Sequence, residues 1–328
     1  MVIDNQELIS VTMSTYNEDL KWIKESVESI LNQTYKDLEF IIVLDNPNNN
    51  ELKNLLESYE KSDNRIQLLI NEENMGVVKS SNKAIKACKG KYIARMDADD
   101  ISEIDRLMLQ KSHLESNNLD FVFSGVKYID ESSTIKYETH RRGLDDKKTK
   151  KLFRVVNISH HPTWLVKREV YENLEGYREI PHTEDYDFSL RALNKGYKIG
   201  KMSQHIARYR VRETSISLSN GLEQFLYMRV LTKAYNKDQI EDYDKVLELL
   251  NIVKNKISNK DRENFKKANN TFEAGVVYWK NKDKTKAIVK FISSILYSKY
   301  MLLKYAGLFK YKLIDKTYSS LLHNNPTF

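Results

Sequence analysis

The residues with the clearest potential for chemistry are three closely spaced aspartates, Asp97, Asp99 and Asp100. They directly follow residues 92–96, a mostly apolar segment that is typical of a short β-strand. Carboxylates crowded at a strand end repel one another and therefore need a compensating cation. Oxygen ligands of this kind bind Mg²⁺ or Mn²⁺, and such ions often hold a substrate diphosphate as well. One interpretation of the segment is therefore a divalent metal site.

The same residues have a structural alternative. Asp100 or Ser102 could cap a helix that begins near Ile104, because side-chain oxygens at a helix N-cap accept backbone hydrogen bonds. An Asp-x-Asp triplet is also expected about once by chance in a chain of this length. The surrounding pattern has to decide between the two interpretations.

The chain around these aspartates alternates between apolar strands and amphipathic helices. Apolar runs predict strands at residues 8–13, 40–44 and 66–70, and apolar residues at helical spacing predict helices between them. Continuous apolar strands separated by such helices are typical of a parallel sheet that is covered on both faces. We therefore expect an α/β fold with an open, mostly parallel, Rossmann-like sheet flanked by helices.

Polar side chains follow the carboxyl ends of these predicted strands. Thr15, Tyr16 and Asn17 follow the first strand, and Asp45 follows the second. Ligands of open α/β sheets bind beyond the carboxyl ends of the strands, so these residues and the aspartates should converge on one crevice. The alternative is that Thr15 and Asn17 begin a helix and that Asp45 begins an asparagine-rich turn.

Residues 159–164 place two histidines and a tryptophan in a turn-prone setting. His160, His161, Thr163 and Trp164 could line an acceptor pocket there. The alternative is a packed tryptophan beside one hydrogen-bonded histidine. Adjacent histidines point to opposite sides of an extended chain, so they are a poor joint metal site.

Three acidic residues, Glu184, Asp185 and Asp187, lie in the first turn of a predicted helix. One of them could be a general base directed into the crevice. The structural alternative is that the helix dipole favours negative charge at this end.

A last predicted strand, residues 207–212, carries three arginines at alternate positions. Its period of two places Arg208, Arg210 and Arg212 on one face of the strand. There they could bind phosphate, because guanidinium groups form strong hydrogen bonds with it, or they could simply face water.

Composition limits the class of protein. The chain has 328 residues, of which 41% are hydrophobic and 30% charged, so one large domain or two smaller ones can form. No uncharged run is long enough to span a bilayer, and residues 1–7 have no signal-peptide pattern. We therefore expect a cytoplasmic protein. Cys88 is the one cysteine and cannot form an internal disulfide.

The sequence changes character near residue 221, where long lysine-rich helices are predicted. Residues 280–316 contain ten lysines and two aspartates, and this charge of +8 accounts for the net +7 of the whole chain. The nearly neutral remainder argues against a nucleic-acid-binding surface. We expect a main domain at residues 1–220 and a helical region at 221–328. The apolar residues of the helical region either pack on the main domain or lie against the anionic inner face of the cell membrane.

Taken together, these motifs resemble family 2 glycosyltransferases of bacterial capsule, O-antigen and exopolysaccharide synthesis, which have the GT-A fold. The resemblance covers residues 7–215 and depends on the order and spacing of several motifs. They are residues 10–17, 29–35, 74–82, 94–102 with Arg106, 161–163, 184–187 and 209–211.

The resemblance implies a nucleotide-sugar donor, with UDP the expected nucleotide. Thr15, Tyr16 and Asp45 would hold its base and ribose, with Asn17 and Asn74 nearby. The family's loop after the second strand usually reads Asp-Asp-Gly-Ser, whereas here it reads Asp-Asn-Pro-Asn from Asp45 onward.

The resemblance also implies a catalytic apparatus. Asp97 and Asp99 correspond to the family's motif for Mn²⁺ or Mg²⁺, with Asp99 the direct ligand, and Asp185 corresponds to the catalytic base. Arg210 and Arg212 would meet the diphosphate, although some relatives have a histidine near the second position that helps to hold the metal.

The acceptor side is implied in the same way. His161, Trp164 and Glu184 would contact a saccharide acceptor, which a lipid carrier could bear. The implied reaction is transfer with inversion, in which Asp185 takes a proton from the acceptor hydroxyl.

Two other classes of function remain open. A nucleotidyltransferase that makes sugar nucleotides shares a similar sheet and metal-bound aspartates, but it usually has a glycine-rich basic loop near its first strand. Residues 14–17 contain neither glycine nor lysine. A non-catalytic module that binds sugar or a partner protein is the other class, and the presence of Asp97, Asp99 and Asp185 together argues against it.

Overall fold

A computed structural model describes residues 7–212 and 220–315, which form two compact units. The first unit consists of residues 7–149, 159–179 and 195–211. The second consists of residues 150–158 and 180–194 together with the described residues from 212 onward. Among the described residues, no helix combines the length and the apolar character needed to cross a membrane.

The described residues contain strands and helices that we number in chain order. The strands are β1 Ile9–Thr15, β2 Leu38–Leu44, β3 Ile66–Ile70, β4 Tyr92–Asp97, β5 Ile101–Ser102, β6 Phe121–Ile129, β7 Ile135–Glu138, β8 Leu165–Lys167 and β9 Ile199–Arg210. The helices are α1 Leu20–Leu31, α2 Asn50–Ser62, α3 Val77–Ala87, α4 Arg106–Ser116, α5 Asp146–Phe153, α6 Arg168–Asn173, α7 Glu184–Asn194, α8 Gly221–Asn236, α9 Tyr243–Lys256, α10 Asn259–Lys280, α11 Lys284–Tyr297 and α12 Tyr300–Ile314.

The first unit is built on one open, mixed sheet. Its strand order is β3-β2-β1-β4-β8-β6-β9-β5, with β7 beside β6. The half from β3 to β4 is parallel, as predicted, because helices α1 to α3 carry the chain back between successive strands. In the other half, β8 runs antiparallel to both β4 and β6, and β5 and β7 are also antiparallel to their neighbours.

Helix α1 shows how the sequence sets these elements. Asp19 is its N-cap, and the Asp19 carboxylate accepts a hydrogen bond of 2.7 Å from the Lys21 N–H. Ile23, Val27 and Ile30 recur at helical spacing and are fully buried against the sheet core. The cap therefore lies two residues beyond Asn17, which leaves Asn17 at the end of β1.

The second unit is helical, as predicted for residues after 221, but it also includes α7 and residues 150–158. Tyr186 of α7 explains this arrangement, because its Oη lies 2.5 Å from the Phe153 carbonyl and 2.9 Å from Thr232 Oγ1 of α8. The compact units therefore interleave along the chain. A single domain boundary after residue 220 stays a prediction.

The core of the second unit lies between α8 and the last three helices. Leu222, Phe265, Phe272 and Met301 form its buried centre. Helices α10 and α11 approach so closely at Gly275 that a Cβ there would lie 2.7 Å from Cε1 of Phe291.

Two glycines in helices give a matched stability test. In Gly307→Ala of α12, the added Cβ has no atom within 4 Å. The better helix propensity of alanine should therefore raise the unfolding free energy by about 0.5–1 kcal/mol. Gly275→Ala gains the same propensity but forces Phe291 to move, and should lower the unfolding free energy by about 1–3 kcal/mol. Urea unfolding followed by circular dichroism measures both. Stabilisation by Gly275→Ala would contradict this close packing.

Candidate active site

Strand β4 ends at Asp97, the first of the three aspartates. The carboxylate of Asp97 forms an ion pair with the buried Arg95, whose Nη2 lies 2.8 Å from Asp97 Oδ1. The carbonyl of Asp97 accepts a hydrogen bond of 3.1 Å from Ser26 Oγ of α1. Together with the pairing of β4 and β1, these contacts fix the position at which the acidic segment begins.

The third aspartate is buried and does not cap a helix. Asp100 is 1% exposed, and its Oδ1 accepts a hydrogen bond of 2.8 Å from the N–H of Arg210. Helix α4 begins at Arg106 with Asp105 as its N-cap and has no side-chain cap bond. The structural alternative, in which Asp100 or Ser102 caps this helix, is therefore wrong.

Asp100 is only partly compensated by its surroundings. Asp100 Oδ2 is buried and has no hydrogen-bond partner among the described residues. Burial raises the pKa of Asp100 well above its ordinary value, and the nearby carboxylates of Asp99 and Asp97 raise it further. A raised pKa means that the carboxylate form is unfavourable here, so a bound cation would stabilise the segment.

Arg210 holds the backbone of this segment in place. Its side chain is buried, and its Nε donates a hydrogen bond of 2.8 Å to the Asp99 carbonyl. Its Nη2 pairs with Glu25 of α1 at 2.7 Å, while Nη1 donates to the Asp130 carbonyl at 2.9 Å and to Ser133 Oγ at 3.0 Å. The predicted contact of Arg210 with a diphosphate stays a prediction, because these contacts are all with protein oxygens.

The other two arginines differ from Arg210. Arg208 forms an ion pair with Glu103, with its Nε 3.1 Å from Glu103 Oε1. Strand β9 ends at Arg210, so Arg212 lies outside the strand and belongs to the second unit. The prediction that one strand carries all three arginines on one face is therefore wrong at Arg212, and its contact with phosphate stays a prediction.

A further buried arginine, Arg106, binds the backbone next to the aspartates. Its Nη2 donates a hydrogen bond of 2.6 Å to the Arg95 carbonyl, and its Nε donates one of 2.9 Å to Gln110 Oε1. Burial lowers the pKa of Arg106 to about 10, while Asp100 and Asp97 act in the opposite direction. The guanidinium is therefore still charged at neutral pH and lessens the repulsion between the carboxylates.

The end of β1 presents both a buried and an exposed candidate residue. Thr15 is buried, and its Oγ1 donates a hydrogen bond of 2.6 Å to Glu18 Oε2. The N–H of Tyr16 donates to the same oxygen at 2.8 Å, while the Tyr16 side chain is 42% exposed. Asn17 Oδ1 accepts a hydrogen bond of 2.6 Å from Asn46 Nδ2 in the loop after β2. Tyr16 and Asn17 are therefore the residues of this group whose side chains are exposed.

Asp45 shapes the loop that precedes α3. Its Oδ1 accepts hydrogen bonds from Asn71 Nδ2 at 2.7 Å and from the Met75 N–H at 2.8 Å. Its Oδ2 accepts one of 2.9 Å from the N–H of Gly76, whose φ of 82° is in the region that favours glycine. Asn74 lies in this loop, and its Oδ1 also accepts from the Gly76 N–H, at 3.1 Å. Asp45 is therefore more than the first residue of a turn.

The structure brings several predicted residues to one edge of the sheet. Strand β1 lies between β2 and β4, with Thr15 opposite Leu44 and Ser14 opposite Asp97. The N–H of Asp45 also donates a hydrogen bond of 2.8 Å to the Thr15 carbonyl. The carboxyl ends of β1, β2 and β4 therefore form a common acidic and polar edge within the first unit.

The predicted acceptor residues Trp164 and His161 lie in the core beside this sheet. Trp164 is fully buried, with its ring centroid 4.5 Å from that of Phe121 and 4.6 Å from that of His161. His161 Nε2 lies 2.7 Å from Tyr177 Oη. This is the structural alternative of a packed tryptophan and a hydrogen-bonded histidine. Trp164 has no exposed surface for an acceptor, which corrects its predicted role.

Asp185, the predicted base, lies in the first turn of α7 in the second unit. Its Oδ2 accepts a hydrogen bond of 3.1 Å from Asn157 Nδ2. Its Oδ1 accepts one of 2.7 Å from the Tyr186 N–H. Both bonds hold the carboxylate in one orientation, and the residue remains partly exposed.

The other acidic residues of α7 divide into two kinds. Asp187 is fully buried and forms an ion pair of 2.7 Å with Arg191 one turn later, so it stabilises the helix. Glu184 is partly exposed at the start of the helix. Glu184 and Asp185 are therefore the acidic residues of this turn that a substrate can reach.

The aspartates at the end of β4 fit a hard divalent cation that is shared with a substrate. Within residues 7–212 and 220–315, no group of three or more His, Cys, Asp or Glu side chains is placed to hold an ion. Mg²⁺ is usually bound by one or two carboxylates together with waters and substrate phosphates, so a smaller protein ligand set suffices. Asp97 and Asp99 provide such carboxylates, and Asp100 Oδ2 is a buried oxygen without a hydrogen-bond partner among the described residues.

Comparison with known proteins identifies the family. The family model described as "Glycosyl transferase family 2" matches residues 10–175, which include strands β1 to β8 and all three aspartates. The chain belongs to this family.

Relatives of this glycosyltransferase agree with the resemblance found in its motifs. It is 39% identical over 236 residues to an uncharacterised glycosyltransferase of Methanocaldococcus jannaschii, a match that covers 72% of this chain and 81% of the relative. It is 33% identical over 242 residues to the O-antigen biosynthesis glycosyltransferase WbnJ of Escherichia coli, covering 69% and 92% of the two chains. The predicted family and enzyme class are therefore confirmed.

A solved structure confirms the GT-A-like fold. The crystal structure of S. aureus TarS 1-349 in complex with UDP-GlcNAc has a TM-score of 0.56 with this glycosyltransferase. The match covers 94% of this chain and 91% of the other at 17% identity. Identity this low supports the fold and not the ligand.

Sequence reasoning missed the groups that hold the candidate residues. Arg95 stands two residues before Asp97, so strand alternation already places both side chains on one face. Asn157 carries no such signal, because it is 28 residues from Asp185. The role of Glu18 depends on the conformation of the turn after β1, which brings its carboxylate to Thr15, three residues earlier.

His160 should make the stability of the glycosyltransferase dependent on pH. Burial, followed by the charge of Lys201, lowers the pKa of His160 from 6.5 to about 3, and its Nε2 lies 3.0 Å from Tyr128 Oη. The folded protein keeps this ring neutral, while the unfolded chain takes up a proton below about pH 6.5. Between pH 7.5 and 5.5 this should lower the unfolding free energy by about 1.4 kcal/mol.

Denaturant unfolding at both pH values tests this expectation. His160→Gln should lose less stability than the unsubstituted protein on going to pH 5.5. His140→Gln is the matched control, because His140 is exposed, and it should show the full decrease. An equal decrease in the His160→Gln variant would reject the assignment.

Proposed function

We propose that the protein is a metal-dependent, inverting glycosyltransferase that uses a UDP-sugar as donor. The acceptor is a hydroxyl of a saccharide in surface-polysaccharide synthesis. The observation that carries this proposal is the partly uncompensated acidic segment at the end of β4, in a fold shared with a protein crystallised with UDP-GlcNAc. The name of WbnJ, an O-antigen biosynthesis enzyme, supports the class of acceptor.

The nucleotide is proposed to bind along the ends of β1 and β2. Tyr16 offers an exposed ring for stacking on the base, and Asn17 and Asn74 offer amides for hydrogen bonds. Thr15 and Asp45 are buried and already bonded within the protein, so we assign them to shaping this surface.

Asp97 and Asp99 would hold a Mn²⁺ or Mg²⁺ ion, which when bound stabilises the negative charge on the departing diphosphate. Asp99 is proposed as the direct ligand, as the resemblance to the family's metal-binding motif implies. Arg210 keeps the backbone at Asp99 in place. Arg212 is proposed to meet the diphosphate.

Asp185 is proposed as the general base. Its carboxylate takes the proton of the acceptor hydroxyl while the hydroxyl oxygen bonds to the anomeric carbon. The bond from that carbon to the donor diphosphate breaks, and its electron pair leaves with the diphosphate. A single displacement of this kind inverts the anomeric configuration. Asn157 orients the base, because it donates a hydrogen bond to Asp185 Oδ2.

Glu184 is proposed to bind acceptor hydroxyls next to the base, and His161 is proposed as a further acceptor residue. The acceptor is proposed to be lipid-linked and to be met at the inner, cytoplasmic face of the membrane. A nucleotidyltransferase is disfavoured by the family match, and a non-catalytic module by the presence of both the β4 carboxylates and the oriented Asp185.

A melting panel tests the donor class first. Each of UDP, GDP, CMP and dTDP is added with and without Mn²⁺, since a ligand that binds the folded state raises its melting temperature. Stabilisation by UDP only in the presence of metal supports the proposal. If another nucleotide raises the melting temperature instead, that nucleotide replaces UDP as the proposed donor class. No response in folded protein would favour the non-catalytic binding module.

Asp99→Ala should weaken nucleotide binding in the presence of Mn²⁺ because it removes the direct ligand. We expect an increase of about tenfold or more in the Kd for UDP, and little change without metal. Calorimetric titration measures both conditions. Asp244→Ala, an exposed aspartate in α9, makes the same change in charge and should leave the Kd unaltered. Equal Kd values for Asp99→Ala and the unsubstituted protein would reject the ligand.

Asp185→Asn should abolish transfer while nucleotide binding is retained. The amide keeps one of the two oxygens that accept from Asn157 and from the Tyr186 N–H, so at least one of these hydrogen bonds can be retained. It cannot accept the proton, so kcat should fall by about 10²- to 10⁴-fold. Glu184→Gln is the neighbouring comparison, and it should mainly raise the acceptor KM. Near-normal kcat for Asp185→Asn would remove this residue from its role.

A further inference from the structure

Helices α11 and α12 expose apolar side chains in continuous stripes. On α11, Ile288 and Ile292 are 50% and 55% exposed, and Leu296 is 81% exposed. On α12, Phe309 and Leu313 are 64% and 58% exposed. The spacing of three or four residues places the members of each stripe on one face of the helix. Contiguous exposed apolar surface of this kind marks an interaction site.

These stripes are separate from the faces that form the core of the second unit. Phe291 and Ile295 of α11 pack against that core, as do Met301, Tyr305 and Leu308 of α12. Each helix therefore has one apolar face that stabilises the fold and a second that faces solvent. The second face adds nothing to the described core, so folding alone does not explain it.

Lysines flank both stripes. Lys284 and Lys286 lie in the first turn of α11, about 100° to either side of its stripe, and Lys310 and Lys312 flank the stripe of α12 in the same way. Lys299 lies between the two helices. An apolar stripe with lysines on both sides is typical of a helix that lies in the interface of an anionic membrane.

We infer that the exposed stripes of α11 and α12, with the flanking lysines, bind an anionic bilayer surface. The apolar side chains enter the boundary between headgroups and acyl chains, and the lysines bind lipid phosphates. A second copy of the chain fits less well as the partner, because its lysines would lie against the lysines of the first copy and the like charges would repel. The inference deepens the proposed function by giving the enzyme a route to a lipid-linked acceptor, but vesicle binding requires no catalysis.

Vesicle co-sedimentation of the full chain tests the inference, with neutral phosphatidylcholine vesicles compared with vesicles that also contain phosphatidylglycerol. The protein should bind the anionic vesicles about tenfold or more tightly than the neutral ones, and added salt should reduce that preference. Equal recovery with both, or no binding to either, would overturn the inference. Inorganic phosphate in excess should not release the protein, since a site for a free anion would be emptied by it.

Two sets of variants separate the contributions of the stripes and the lysines. Ile292→Ser, Leu296→Ser and Phe309→Ser together should lower anionic-vesicle binding by about tenfold or more. Lys284→Gln, Lys310→Gln and Lys312→Gln together should remove the preference for anionic lipid. The matched controls on the first unit are Ile104→Ser with Ile135→Ser, and Lys36→Gln with Lys61→Gln and Lys86→Gln, all at exposed positions. Controls that lose as much binding as the test variants would overturn the inference.

Two further measurements separate membrane binding from misfolding and from self-association. Circular dichroism should show that the variants are folded, which is expected because the substituted side chains are exposed. Sedimentation velocity without vesicles should show one species; a dimer that only the stripe variants dissociate would assign this face to a second copy and overturn the membrane inference. Asp185→Asn should bind vesicles like the unsubstituted protein, so a failure of the catalytic proposal leaves this result intact.

Discussion

The structure of the first unit depends on placing three carboxylates at the end of one strand. Asp97, Asp99 and Asp100 cannot lie within four residues of one another in a largely buried setting unless positive charge is close by. Arg95 pairs directly with Asp97, and Arg106 supplies a second buried guanidinium. The raised pKa of Asp100 shows that this compensation is incomplete. This partly neutralised segment is where the proposed cation would bind.

Burying a guanidinium group costs free energy, so the hydrogen bonds that each buried arginine makes indicate its structural role. Removing such a group from water is unfavourable unless its N–H groups find acceptors. Arg106 donates to the Arg95 carbonyl, and Arg210 donates to the Asp99 carbonyl, so both bind backbone rather than only side chains. Arg210 also joins α1, through Glu25, to the turn after β6. The acidic segment is therefore anchored by elements that lie far apart in sequence.

The parallel half of the sheet could be predicted from the sequence, because apolar strands and amphipathic helices alternate with clear periods. Strands β5, β7 and β8 could not, since two to four residues give no period. In addition, β5 and β8 pair antiparallel with strands that are far away in sequence. Among the site residues, spacing alone brought out the aspartates of β4. The burial of Trp164 and the many contacts of Arg210 depend on tertiary packing, which a local pattern does not contain.

The interleaving of the two units bears on how the proposed base is positioned. Asp185 is held by Asn157 and lies next to Tyr186, which hydrogen-bonds to Thr232 of α8. Helix α7 therefore belongs by its contacts to the helical unit rather than to the sheet. A change in the packing of α8 would reach Asp185 through Tyr186 without touching the β4 aspartates. Helix α8 of the C-terminal region is in this way part of the support of the proposed catalytic group.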